Sequence, residues 1–444
     1  MLLDNILALK EKAVQDKNVV NSYLPYRNKN TNFDYEVITG GVLSSLLKKK
    51  IEKKYTVPQF KEDCQSKIIT QISAPDFFPV IEKLFFTDEN VRKLSPEFLL
   101  FAAAARGSSA SSEHLITVFH GMLSGIADDQ IKLTHQLNFI EKMLLDVLAN
   151  HLQAYTVDVR EDPFLPFLAE KFKNDLIFMS GHSGYLMTEI ENVLRIYAFL
   201  YTAQLALNIN QWRQQPVSKP LYFILDTEKA SQERSQIRDH GYSWLRDKIG
   251  DLFPMLSLLE YFNNSREGNQ DILPLWKYGM ALENAESEVK QELAIALYEF
   301  LKRYSDARHL ELPKIDKQDP GVLMEHLIRQ AKEQFRETHR GSKSDIHKNY
   351  IRQFEQHIAQ HFVRSRGRAG NVLVLNQDNL LLLTNLVIGD NLSLRFQELL
   401  KEFAARGLWF DKQSEQALLR FYERIGNVDR MSDSGDAVYV RKTI

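Results

Sequence analysis

The chain has 444 residues, a formal net charge of −2 and one cysteine, Cys64. A single hydrophobic core rarely grows beyond about 250–300 residues, so this length predicts more than one domain. Apolar residues make up 44% of the chain and aromatic residues 11%, which excludes wholesale disorder. The small net charge excludes a global attraction to nucleic acid or membrane. The lone cysteine excludes an intrachain disulfide, as expected in a reducing compartment.

The first residues predict an amphipathic helix and not a signal peptide. Asp4 interrupts the apolar run that begins at Leu2, and no small-residue cleavage site follows. Apolar runs such as 380–383 are far shorter than the ~18–20 residues that span a bilayer. We therefore expect a soluble, cytoplasmic protein that makes no membrane contact.

Helical periodicity dominates the first three quarters of the chain. Apolar residues recur at three- and four-residue spacing in 97–152 and in 186–209, which is typical of amphipathic helices. A short run of β-formers at 220–226 instead predicts a strand. We predict an N-terminal helical domain at 1–160 and a central helical domain with a short strand at 161–330.

Residues 331–370 predict a basic helix followed by a linker. Positions 331–368 hold nine basic and four acidic side chains, a local charge of +5. The stretch ends with Arg364, Arg366 and Arg368 among serine and glycine residues, which predicts a flexible basic linker. Such a run can contact phosphate groups or can simply be a solvated run of charges.

The last segment, 371–444, predicts a winged-helix-like module. Its pattern predicts a strand, two helices, a strand fragment, a third helix and a hairpin, at 372–375, 378–388, 392–403, 408–410, 411–425 and 428–443. The hairpin is the wing, and its turn is 432–436. This order has one helix fewer before the wing than is usual. The whole chain therefore predicts a mainly α fold: a multi-helical body with a short strand segment, followed by this module.

The module and the preceding linker carry our candidate DNA contacts. Winged helices insert a helix into the major groove and lay the wing on phosphate. Glutamine can pair with adenine and arginine with guanine, or both can hold the backbone. The candidates are Arg364, Arg366, Arg368, Lys412, Gln416, Arg420, Arg424, Arg430, Arg441 and Lys442. The predicted wing turn is acidic, with Asp433 and Asp436, and many winged helices dock proteins instead, so both functions stay open.

No complete nucleotide-binding motif is present. Gly40 and Gly41 are followed by lysines at 48–50, but at the wrong spacing for a phosphate-binding P-loop. The segment 341–344 resembles the end of that motif and lacks its upstream glycine. We therefore expect no bound nucleotide of the P-loop kind and no other cofactor.

Two sets of residues suggest metal chemistry. His357 and His361 have the spacing of a zinc site on one helix face, but the glutamate of the metalloprotease motif is missing. Asp226 and Glu228 follow the predicted strand next to Lys229, as a magnesium-dependent nuclease would require. The structural alternative is that Asp226 caps the next helix. We predict no metal site, with the nuclease as the alternative.

Three segments resemble the DptG family, whose members are subunits of bacterial DNA phosphorothioation-dependent restriction systems. They are 165–170 (LPFLAE), 220–231 (PLYFILDTEKAS) and the ending 421–440, which contains FYERI and RMSDSGDAVYV. The match in length is full-chain, and the ending is its most specific part. The resemblance implies a role in antiphage defence, in a complex of three proteins that attacks DNA lacking the sulfur mark. It also implies that the partners carry the ATPase activity, and it transfers no catalytic residue.

Residues and resemblance together predict a non-catalytic subunit of such a complex. It would act as a scaffold for partner ATPases and contact double-stranded DNA through the basic linker and the C-terminal module. The alternatives are a metal-dependent nuclease centred on Asp226 and Glu228, and a pure protein-interaction adaptor. An adaptor would pack the 412–425 face on a partner or on the chain's own helical body.

Overall fold

The computed structural model describes residues 2–72, 77–105, 108–230, 233–263, 271–315, 319–335, 342–430 and 438–444. Helices hold 63% of these residues and strands 7%, which confirms the mainly α, multi-helical fold. No helix within the described ranges combines the length and the apolar content needed to cross a bilayer.

Helices and strands are numbered separately in chain order. The α-helices are α1 (Leu2–Leu7), α2 (Tyr35–Leu47), α3 (Val57–Ile72), α4 (Phe78–Ile81), α5 (Leu100–Ala105), α6 (Ala110–Leu123), α7 (Phe139–Ala149), α8 (Pro166–Ser180), α9 (Ser183–Asn208), α10 (Ser235–Asp239), α11 (Tyr242–Ile249), α12 (Leu252–Asn263), α13 (Leu275–Glu283), α14 (Ser287–Arg308), α15 (Pro320–Glu333), α16 (Ser342–Gln353), α17 (Gln377–Ile388), α18 (Phe396–Ala405) and α19 (Lys412–Arg424). The strands are β1 (Lys49–Ile51), β2 (Leu152–Ala154), β3 (Ile224–Leu225), β4 (Val363–Ser365), β5 (Asn371–Leu375), β6 (Ser393–Arg395), β7 (Val428–Arg430) and β8 (Val438–Arg441).

The chain forms two compact units. The large unit comprises Met1–Thr31, Arg160–Glu170 and Ala198–Ile444, and the small unit comprises Asn32–Val159 and Lys171–Tyr197. The domain boundaries near 160, 330 and 370 stay predictions from the sequence.

In the small unit, α2 packs against α5 and α6, and glycine allows this close approach. A Cβ atom at Gly40 would lie 2.8 Å from the Ala103 amide nitrogen, and one at Gly41 would lie 2.9 Å from Ile116 Cδ1. The glycine pair that we compared with a P-loop is therefore a helix-packing feature. Strands β1 and β2 form an antiparallel pair with Lys49 opposite Ala154.

The large unit contains a three-stranded sheet in the order β3-β5-β4. Strand β5 runs parallel to β3 and antiparallel to β4. This sheet shows that our prediction of a flexible linker was wrong, because 363–375 are a β-hairpin. Gly367 and Gly370 have φ angles of 55° and 73°, which glycine adopts readily because it has no Cβ. These glycines make the turn of the hairpin.

The C-terminal module begins with α17 and continues through β6, α18, α19, β7 and β8. Its sheet has the order β6-β8-β7, with both pairs antiparallel. The strand thus precedes α18, whereas we expected a strand after this helix, at 408–410. That segment instead makes one isolated parallel bridge, between Trp409 and Tyr222, just before β3. The predicted wing turn, 432–436, lies outside the described residues.

Helix α18 begins at Phe396, and our predicted start at Leu392 was wrong. The Leu392 side chain is 85% exposed and lies before β6 in the chain. The three residues of β6 lie between Leu392 and Phe396, the first two apolar positions of the predicted helical spacing. These residues form a strand and not the first turn of the helix because they pair with β8, which lies more than 40 positions later in the chain.

A buried carboxylic acid, Glu161, lies in the core of the large unit and is 6% exposed. Its carboxylate accepts the Tyr23 amide at 3.3 Å. Burial raises the pKa of Glu161 to about 7, the Tyr23 hydrogen bond opposes this shift, and the nearby Glu260 carboxylate adds to it.

We expect Glu161 to make the protein less stable as the pH rises from about 4.5 to 7. The folded state holds a proton in this range that the unfolded state has lost, so raising the pH favours unfolding. Glu161→Gln should remove about 3 kcal/mol of this pH dependence, measured by urea unfolding between pH 5 and 8. Glu311→Gln, at an exposed position, is the control. An unchanged slope in Glu161→Gln would contradict the assignment.

Candidate nucleic-acid interface

A buried guanidinium fixes the start of helix α19. Arg234 Nη1 lies 3.1 Å from Glu228 Oε1, and Arg234 Nε donates to Asp411 Oδ2 at 2.8 Å. Arg234 Nη2 also donates to Ser414 Oγ at 2.7 Å, and this hydroxyl donates to Glu228 Oε2 at 2.9 Å. The side chains of Arg234, Glu228 and Asp411 are 5%, 8% and 12% exposed. We call these four residues the Arg234 cluster.

The cluster also supplies the N-cap of α19. Asp411 Oδ1 accepts the Ser414 amide at 2.9 Å, which satisfies an amide that the helix itself cannot. Burial alone would raise the pKa of Asp411, but hydrogen bonds from Arg234 and the Ser414 amide hold it below its usual value. Asp411 therefore stays ionised opposite Arg234, and the helix start is tied to the β3 segment.

One face of α19 is buried and the other is exposed. Leu418 and Tyr422 are fully buried, while Gln416, Arg420 and Arg424 are exposed. Among the described residues, no carboxylate lies within ion-pair distance of Arg420 or Arg424, and the Arg424 guanidinium lies 5.7 Å from the centre of the Phe421 ring. These three side chains, which we call the α19 face, offer hydrogen-bond donors and positive charge to solvent.

Lys412, at the start of the same helix, is 86% exposed and pairs with Glu415 at 2.7 Å. Its charge is therefore already partly neutralised. An exposed pair of this kind contributes little to stability, so a phosphate group could displace the glutamate at small cost.

The hairpin β4–β5 places the three arginines of the predicted linker. The Arg364 guanidinium donates to the carbonyls of Gln360 and Val363 at 2.9 and 3.1 Å, and no described carboxylate pairs with it. Arg366 differs, because its Nη2 donates to Asp226 Oδ1 at 2.9 Å and to the Asp226 carbonyl at 2.6 Å. Arg368 is exposed on the turn.

The three cations of the predicted wing make contacts inside the C-terminal module. Arg430 pairs with Glu423, and Arg441 Nε lies 3.1 Å from Asp429 Oδ2. Lys442 donates to the Gly389 carbonyl at 2.9 Å. The contacts of Arg430 and Lys442 connect β7 and the residue after β8 to helix ends, and the Arg441 pair joins β8 to β7, so three of our candidates also have structural roles.

Sequence reasoning missed another exposed cation, Arg395 at the end of β6. Its Nε donates to the Tyr439 hydroxyl at 3.0 Å, and its guanidinium lies 5.7 Å from the centre of the Tyr439 ring. We did not consider it because the spacing around it predicted a helix and not a strand. The alternation of Ser393, Leu394 and Arg395 is too short to be a strand signal by itself.

The carboxylates of the nuclease alternative are both engaged by arginine. Asp226 follows β3 and is half exposed beside Arg366, while Glu228 is buried in the Arg234 cluster and also accepts the Leu225 amide at 2.7 Å. Within the described ranges, no group of three histidine, cysteine, aspartate or glutamate side chains could hold a metal ion. His357 and His361 are therefore not part of such a group.

No protein-family model matches this chain, and no curated protein is significantly similar to it.

We expect Arg234→Ala to lower the free energy of unfolding by at least about 3 kcal/mol. The substitution leaves Glu228 and Asp411 facing each other at a buried site, and breaking a buried ion pair costs about 3–5 kcal/mol. Urea unfolding measures this change. The matched control is Arg238→Ala, because Arg238 is 61% exposed beside Asp239 and an exposed pair contributes about 1 kcal/mol or less. Equal effects of the two variants would count against a central role for the cluster.

Proposed function

We propose that this protein is a non-catalytic subunit of a DNA phosphorothioation-dependent restriction complex, in which it is a scaffold for partner ATPases and contacts double-stranded DNA in the cytoplasm. The observation that carries the DNA part is the α19 face, where Gln416, Arg420 and Arg424 are exposed on one helix. The resemblance of three segments to the DptG family supports the assignment to a restriction complex.

The order of elements in the C-terminal module supports a winged-helix interpretation. A helix and a short strand precede two helices, α18 and α19, and a pair of strands follows. The first strand, β6, pairs with the last strand, β8. In this interpretation α19 is the helix that enters the major groove, and its exposed side chains are those that would meet base edges or phosphates.

Local charge supports the same conclusion. The whole chain has a net charge of −2, so any attraction to DNA must come from particular cations. Arg364, Arg420 and Arg424 have no carboxylate partner among the described residues, and each can release counterions from DNA on binding. Arg366, Lys412, Arg430 and Arg441 have such partners, so we assign them weaker roles in DNA contact.

The two alternatives are less well supported. A nuclease needs free carboxylates to hold metal, and Asp226 and Glu228 are both paired with arginine. An adaptor that packs the α19 face on its own helical body would bury that face, but Gln416, Arg420 and Arg424 are exposed. Docking of another protein on this face is the alternative that the experiments below must distinguish.

We expect Arg420→Ala/Arg424→Ala to weaken binding to duplex DNA and to lower its salt dependence. Each lost phosphate contact should reduce the slope of log K against log salt concentration by about 1. Fluorescence anisotropy with a labelled duplex, at several salt concentrations, measures both quantities.

The matched control for this test is Lys302→Ala/Arg329→Ala, which removes two exposed cations from α14 and α15. It should leave affinity and slope unchanged. If both double variants bind DNA like the unmodified protein, the α19 face is not a DNA contact, and protein docking becomes the better explanation of its exposure.

The hairpin arginines allow a test in two opposite directions. Arg364→Ala/Arg366→Ala/Arg368→Ala should weaken duplex binding and phage restriction. Asp226→Asn should strengthen duplex binding, because it removes the carboxylate that neutralises Arg366. A nuclease centred on Asp226 predicts instead that Asp226→Asn abolishes magnesium-dependent cleavage.

Co-purification with the neighbouring gene products is the control for these variants, since surface substitutions should leave the partner complex intact. If the triple variant assembles with its partners, binds duplex normally and restricts phage normally, the hairpin has no part in DNA contact. If the unmodified protein does not co-purify with them, the scaffold role is wrong.

A further inference from the structure

The small unit contains an open cavity of about 450 Å³ beside the antiparallel strands β1 and β2. Volumes of about 300–1,000 Å³ are usual for small-molecule sites. Apolar residues such as Leu100 and Ile116 form part of its wall, and lysines and an aromatic ring form another part. The residues that matter for its chemistry are Lys50, Lys53, Lys54, His120 and Tyr155.

Three lysines of this wall are exposed and have no carboxylate partner among the described residues: Lys50, Lys53 and Lys54. Lys48, earlier in the same segment, is paired with Asp128. The backbone at Lys54 has a φ angle of 80°, a conformation that residues other than glycine rarely adopt. The folded protein thus holds Lys54 at this wall in an unfavourable backbone conformation.

An aromatic ring lies next to these cations. Lys50 Nζ is 5.3 Å from the centre of the Tyr155 ring, and Tyr155 is anchored by a 2.9 Å hydrogen bond from its amide to the Lys48 carbonyl. A tyrosine face beside lysines provides a stacking surface next to a phosphate-binding group. His120 adds a polar edge, because its Nε2–H donates to the Gly41 carbonyl at 3.2 Å.

Two carboxylates, Glu52 and Glu113, also line the cavity and reduce its positive charge. Glu52 is already engaged, since its Oε2 lies 3.2 Å from His151 Nδ1, and His151 Nε2 lies 3.3 Å from Asp63 Oδ2. The lysines therefore keep an excess of positive charge at this wall.

We propose that this cavity binds a nucleotide through its phosphate, with Lys50, Lys53 and Lys54 as the phosphate-binding cations and Tyr155 as the surface for the base. Lysine is a common phosphate ligand as a compact point charge. The nucleotide is either free or the 5′-phosphorylated end of a nucleic acid strand. This site lies in the small unit and does not depend on the DNA contacts proposed for the C-terminal module.

The test uses full-length protein and a fluorescent N-methylanthraniloyl derivative of adenosine monophosphate as the probe. Lys53→Gln/Lys54→Gln should weaken probe binding at least about tenfold, because the substitutions remove two of the three charged contacts proposed for the phosphate. The matched control is Lys83→Gln/Lys142→Gln, two exposed lysines of the same unit, and it should bind the probe normally. Circular dichroism verifies that both variants are folded.

Competition with the probe then identifies the chemical class of the ligand. Adenosine monophosphate should displace the probe, and adenosine should displace it at least tenfold less well. Displacement by a 5′-phosphorylated oligothymidine, but not by the same strand without the phosphate, identifies the strand end as the ligand. Displacement by the free nucleotide alone identifies a free nucleotide.

Three outcomes would overturn this proposal. They are equal displacement by adenosine and its monophosphate, equal probe binding by the lysine variant and its control, and no binding of the probe by the unmodified protein. None of them affects the duplex measurements on Arg420 and Arg424, so the two proposals can fail separately.

Discussion

The geometry of the C-terminal module depends on one buried cation, Arg234. A guanidinium that is almost entirely removed from water must be matched by acceptors, and here Glu228, Asp411 and Ser414 supply them from two distant parts of the chain. Because Asp411 also caps α19, the same cation that bridges the segments fixes where this helix starts. The orientation of the α19 face follows from that constraint.

The distribution of charge explains how a nearly neutral protein can present a cationic surface. Several basic residues of the module form ion pairs within it, such as Arg441 with Asp429. Those pairs hold strands and helix ends together. Arg364, Arg420 and Arg424, which have no carboxylate partner among the described residues, lie on regular secondary structure. Exposed arginines without a carboxylate partner can therefore occur in a chain whose net charge is slightly negative.

Much of the fold could be predicted from local patterns, and the exceptions share a cause. The strand β5, the helix α19 and the mainly α composition follow from runs of apolar residues with a clear period. The strand β6 is three residues long and is defined only by pairing with β8, so its own residues give no signal. The ion pair of Asp226 and Arg366 also gives no local signal in the sequence, because the two residues are 140 positions apart. The glycines near Arg366 suggested flexibility by composition alone, whereas the backbone uses them to reverse direction.

The β4–β5 hairpin has a consequence for the kinetics and thermodynamics of association. A flexible segment loses backbone entropy of about 1–2 kcal/mol for each residue that it orders on binding, and a coil-to-hairpin step would slow the encounter. Here folding has already ordered the segment that bears Arg364, Arg366 and Arg368. An anionic partner would therefore meet a preformed surface, so that diffusion and electrostatic steering limit the rate of association, without a folding step.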